Sequence, residues 1–81
     1  MEYVVVFFSQ SGALKFKKDM ELKDITCKLS PTPRVLSSSC GTCVKITYEG
    51  NVTDLAEAEV ERIFLVNSDG KYELVYDGYN M

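Results

Sequence analysis

Tyr3-Val4-Val5-Val6-Phe7-Phe8 is an unbroken run of β-branched and aromatic residues. A strand with apolar side chains on both faces must be covered on both, so the run predicts a central strand rather than an edge. The other elements are then constrained to flank it. After Ser9-Gln10-Ser11-Gly12, the segment Ala13 to Leu22 places Ala13, Phe16 and Met20 at helical spacing, with Lys15, Lys18, Asp19 and Glu21 elsewhere. Ile25 to Leu29 alternates with period two, with Ile25, Cys27 and Leu29 on one face. Cys43 to Glu49 alternates again, with Val44, Ile46 and Tyr48 inward and Cys43, Lys45 and Thr47 outward.

Thr53 or Asp54 can cap a second, short helix through Leu55, Ala56, Ala58, Val60 and Ile63. Ile63 to Val66 and Lys71 to Tyr76 read as strands joined by the turn Asn67-Ser68-Asp69-Gly70, and Asp77 to Met81 as a fraying tail. The aromatic residues Phe7, Phe8, Phe16, Tyr48, Phe64, Tyr72 and Tyr76 read as core and cross-strand packing. Residues 1–81 are therefore expected to form one α+β domain of the ferredoxin-like split βαβ class (βαββαβ). It would have an antiparallel sheet, two helices on one face and an additional C-terminal strand. A chain this short hides only about 60–65% of its unfolded surface and should fold alone or as a small oligomer such as a homodimer. That fold hosts many functions, so residues must carry the functional argument.

Charge excludes one class of partner. The net charge is −3 and the isoelectric point about 4.8, with nine basic residues scattered among twelve carboxylates, which disfavours nucleic acid. Lys15, Lys17 and Lys18 read as a solvated helix face. No apolar run approaches the roughly 18 residues of a membrane span, and Met1-Glu2-Tyr3-Val4 lacks the basic region of a secretory signal. A cytoplasmic location is the expectation, and there the three cysteines would be reduced.

The chain has no histidine, which removes the usual general base, the Cys-His nucleophile pair and the commonest metal ligand. Attention falls on the loop Pro31 to Gly41, where two prolines and three serines precede Cys40-Gly41. A reactive thiol needs nearby positive charge or amide donors, for which Arg34, Lys45 and the Ser37 to Gly41 backbone are candidates. Gly41 leaves room for close approach to Cys40.

Cys40-Gly41-Thr42-Cys43 is also a Cys-x-x-Cys pair, readable as a redox dithiol, half of a metal site or two unrelated thiols. A redox motif would open a helix, whereas Cys43 begins a strand. A zinc site needs four ligands, so one monomer supplies too few, although two pairs bridging a dimer would suffice. Cys27 reads as a small buried hydrophobe.

Ala13-Leu14-Lys15, Pro31-Thr32-Pro33-Arg34 and Ser37-Ser38-Ser39-Cys40-Gly41 together resemble a small bacterial family, once a domain of unknown function and now described as selenium/sulfur carrier proteins. The similarity spans about residues 2 to 66. It implies that Cys40 carries sulfur or selenium as a persulfide or selenosulfide between a donor such as a cysteine desulfurase and an acceptor protein. By the same analogy Arg34, Ser37, Ser38 and Ser39 would hold and polarise the thiol, and no cofactor is required. Lys17 stands where many members have an acidic residue, Lys23-Asp24 replaces a glycine-containing turn, and Cys43 lies beyond the motif. Cys43, if near enough, would act as a resolving thiol. Two competing readings are a thiol redox or regulatory module using Cys40 and Cys43, and an interaction domain whose cysteines are incidental.

Overall fold

The computed structural model describes residues 1–36 and 38–80. Five strands, β1 (Glu2–Phe7), β2 (Cys27–Pro31), β3 (Thr42–Thr47), β4 (Val60–Val66) and β5 (Tyr72–Asp77), form one sheet in the order β2-β3-β1-β4-β5. All neighbouring pairs are antiparallel. The single α-helix among the described residues, α1 (Gln10–Leu22), connects β1 to β2, with β3 lying between them. The α+β class and the central position of β1 agree with the sequence.

The second helix does not. Val52–Leu55 is a 3-10 turn, capped by the Asn51 side chain accepting from the Thr53 amide at 3.3 Å, and Val60 already begins β4. Val60 and Ile63 lie three apart, a helical spacing, yet both reach the helix-side core. The reason is a bulge. Arg62 pairs with Val6 and Val60 with Phe7, which leaves Glu61 as an extra residue on β4. With one α-helix and a fifth strand, the structure keeps the antiparallel α+β plan without the two helices of the expected ferredoxin-like arrangement.

Alternation along β1 divides the interior. Tyr3, Val5 and Phe7 join Ala13, Phe16 and Met20 of α1 with Val44, Ile46 and Ile63. Val4 and Val6 face the other side and cluster with Cys43, Leu36, Phe64, Val66 and Tyr72. Phe7 and Phe16 anchor the larger cluster, both fully buried with ring centroids 5.2 Å apart. The outward assignment of Cys43 is thus right in direction but not in exposure, because the loop residue Leu36 helps cover that face.

Helix α1 begins where Ser9, in extended conformation, accepts from the Gly12 amide at 3.1 Å. It ends with Ile25 N–H bonding to Met20 O at 2.9 Å and Asp24 N–H to Glu21 O at 3.1 Å, while Asp24 takes φ 60°. That is a Schellman closure with aspartate at the position glycine usually holds. Lys15 and Lys17 pair with Asp19 and Glu21 one turn on, as a solvated helix face would.

Pro31 is the last residue of edge strand β2 rather than a loop residue, consistent with its missing donor. The expected fraying tail also differs. Asp77 ends β5 and Gly78–Asn80 forms a 3-10 turn docked on β4. A Cβ at Gly78 would stand 2.5 Å from the Val60 carbonyl oxygen and 2.9 Å from that of Glu61, so only glycine permits this approach.

Candidate functional site

The loop between β2 and β3 is stitched by its own short polar side chains. Thr32 Oγ1 and Ser38 Oγ lie 3.0 Å apart, and Ser38 Oγ also accepts from the Gly41 amide at 3.0 Å. The Thr32 amide donates to Gly41 O at 3.1 Å, which closes the loop at its base. Gly41 adopts φ 71° and an added Cβ would meet nothing within 4 Å. Glycine is therefore favoured here by backbone conformation rather than by lack of space.

Ser39 is held from outside the loop. Its amide donates to Glu61 Oε1 at 2.9 Å and its hydroxyl to Glu61 Oε2 at 3.1 Å. The Tyr79 hydroxyl also donates to Glu61 Oε2, and Arg62 Nη1 stands 3.9 Å from that oxygen. Glu61 is only 3% exposed. Burial pushes its carboxyl up, but the Tyr79 hydroxyl, the two Ser39 donors and Arg62 outweigh it and hold the group below the usual carboxylate range. Tyr79 is itself braced, edge-on to Phe8 at 5.1 Å and beneath the Arg62 guanidinium at 4.7 Å.

Sequence reasoning missed Glu61 because it placed the residue in a helix. The available signal was a lone carboxylate among the apolar residues Val60, Ile63, Phe64, Leu65 and Val66, read at strand rather than helix spacing.

The three cysteines are free and differently placed. Cys40 is half-buried at the edge of the helix-side cluster, its thiol donating to Thr42 O at 3.4 Å. Cys43 is 0% exposed within the opposite cluster, its thiol directed to Pro31 O at 3.6 Å. Burial raises the Cys43 thiol, against weaker opposing effects of Lys45 and Ser30. Cys27 is partly rather than fully buried, bonds Lys17 O at 3.7 Å, and is raised by burial and then by the Glu21 charge.

The structure therefore brings Ser38, Ser39, Cys40 and Gly41 together, with the serines bonded to loop backbone and to Glu61. Arg34 is exposed and makes no hydrogen bond or ion pair among the described residues. Ser37 lies outside the described residues. A depression of about 300 Å³ is lined by Leu29, Ser30, Pro31, Gly41 and Thr42, without Cys40 itself. Among the described residues no cluster of three or more His, Cys, Asp or Glu side chains could hold a metal.

Fold and site define a small α+β protein that presents one half-buried thiol on a hydrogen-bonded loop at the end of its sheet. Residues 2–64 match the sequence model of the family described as "Putative Se/S carrier protein-like", and the chain belongs to that family. No curated protein and no solved structure matches the chain.

Proposed function

We propose that the protein carries sulfur or selenium on the thiol of Cys40, between a donor of the cysteine desulfurase kind and an acceptor protein, in the cytoplasm. The observation that carries this reading is the contrast between the three thiols, all within the family match: Cys40 is half-buried on the β2–β3 loop, Cys43 is sealed in the sheet, and Cys27 lies in strand β2 with its thiol bonded to the α1 backbone. In loading, the Cys40 thiolate attacks the terminal sulfur of the donor persulfide. The donor S–S bond breaks, a Cys40 persulfide forms and the donor cysteine leaves as thiolate. Unloading repeats the exchange with the acceptor thiolate as nucleophile and Cys40 as leaving group. Neither step needs a general base or cofactor from this chain, in keeping with a sequence that lacks histidine. Arg34, exposed on the same loop, is available to a partner's anionic group.

No helix of the described residues is long and apolar enough to cross a membrane. For Cys43 to serve as a resolving thiol, its buried side chain would have to leave the cluster it shares with Val4 and Val6. The carrier reading thus assigns the cycle to one thiol. Mass spectrometry after incubation with a cysteine desulfurase and cysteine tests it. One added sulfur atom should appear in the native protein and in Cys43→Ser and be absent from Cys40→Ser. Loading that survives Cys40→Ser would refute it.

A further inference from the structure

Glu61 is a buried charge that the carrier chemistry does not itself use, and burying a carboxylate is costly unless it is fully hydrogen-bonded. It owes its place to a bulge, which bends the strand locally and re-aims a side chain. Both carboxylate oxygens are engaged by Ser39, the residue immediately before Cys40. On the other side of Cys40, Gly41 is held through its amide by Ser38 and through its carbonyl by Thr32. Cys40 is therefore bracketed, with one flank tied to β4 and the other to the base of its own loop.

We propose that Glu61 is the positioning residue of the Cys40 site: its two-point grip on Ser39, backed by Tyr79, fixes the thiol in the half-buried attitude from which partner proteins load it. The assignment rests on the carrier reading in so far as Cys40 is the working thiol. Tyr79 lies outside residues 2–64 of the family match and is brought to Glu61 by the tight passage at Gly78. The arrangement has a distinctive consequence. Releasing the grip frees the thiol to small reagents, yet spoils the geometry that a protein donor must meet, so the two reactivities move in opposite directions.

Labelling of folded protein with iodoacetamide, resolved by peptide mass spectrometry, compares Cys40 with Cys27 in the same sample. Glu61→Ala is expected to raise the Cys40 rate about tenfold, equivalent to about 1.4 kcal/mol of loop opening, with Cys27 unchanged. The same variant should take sulfur from a cysteine desulfurase more slowly than the native protein. Glu61→Gln keeps an acceptor for the Ser39 amide and should fall between the two in both assays. A Cys40 rate within about twofold of native, or an equal rise at Cys27, would overturn the proposal. Should Glu61→Ala fail to fold, Ser39→Ala and Tyr79→Phe each remove one hydroxyl from the carboxylate. Both must favour Cys40 over Cys27, and the proposal falls if either does not. A shifted labelling ratio in a protein that takes no sulfur at all sinks the carrier reading and leaves the positioning role standing. Native loading with an unshifted ratio in Glu61→Ala sinks the positioning role alone.

Discussion

Gly78→Ala isolates the tail that braces the site, because the new Cβ collides with backbone rather than with a side chain that could swing away. The atoms in its path are the Val60 carbonyl oxygen at 2.5 Å and the Glu61 carbonyl oxygen at 2.9 Å, both fixed in β4. The tail must lift, and three contacts of Tyr79 go with it. These are the hydroxyl bond to the Glu61 carboxylate, the edge-on contact with Phe8 and the stack under Arg62. A hydrogen bond to a charged group contributes about 1.5–3 kcal/mol, an aromatic pair about 0.5–1.5 and an exposed cation–π contact about 0.5–1. Tyr79 is 57% exposed, so the low ends apply and the loss should be about 2.5 kcal/mol. Against a total stability of about 4–12 kcal/mol for a chain of this size, the variant remains folded. Urea unfolding followed by far-ultraviolet circular dichroism should show the midpoint falling by about 2.5 M at a slope near 1 kcal/mol per M. Tyr79→Ala should cost a similar amount, and the double variant little more than either, since both substitutions remove the same contacts. A midpoint within about 0.5 M of native, or strict additivity in the double variant, would refute the reasoning.

Stability should also depend on pH through Glu61. Its folded carboxyl lies below the ordinary value of about 4.3, so its contribution is fully present above that value and is lost as pH falls through the folded one. Glu61→Gln should flatten this acid limb in urea midpoints collected from about pH 6 downward, and limbs of equal slope would count against the assignment. At the end of α1, Asp24→Gly relieves a left-handed residue at φ 60° and should stabilise by about 0.5–1 kcal/mol, net of the added freedom of the unfolded chain. A lowered urea midpoint in that variant would mean that the aspartate side chain supports the turn in a way the backbone does not reveal.

How far the sequence was legible follows from the range of the interactions involved. The Tyr3 to Phe8 run placed β1 at the centre, and the spacing of Ala13, Phe16 and Met20 gave the buried face of α1, because both signals are local periodicities. Gly70, at φ 83°, closes the β4–β5 turn as the Asn67 to Gly70 segment indicated. The second helix was misread because a bulge restores to one face two residues whose spacing is helical, and a bulge is decided by the partner strand. The loop motif singled out Cys40 and Gly41, and Ser39 with them. It could not name Glu61, which is 22 residues further on and enters only when β4 and the loop meet at the same end of the sheet. The tail was read as frayed for a similar reason, since nothing near Tyr79 in sequence announces a carboxylate in β4.

The placement of the cysteines bears on why a Cys-x-x-Cys spacing need not make a dithiol. In a helix, residues three apart share a face, and both sulfurs of such a motif can reach each other or a common metal. Here Gly41 turns the chain in the left-handed region and Thr42 enters β3, so the strand's own alternation decides where Cys43 points. It points away from α1, into the cluster of Val4 and Val6, while Cys40 packs at the border of the cluster beneath the helix. Cys43 also pairs in register with Val6 on one side and Ser30 on the other, so freeing it disturbs both neighbouring strands of the sheet. Burial raises its thiol as well, which lowers the fraction present as nucleophile even when it is reached. A second thiol in this position is reached only when the sheet opens locally, and on the proposed carrier reading the cost of that opening would keep a Cys40 persulfide from being discharged within its own chain.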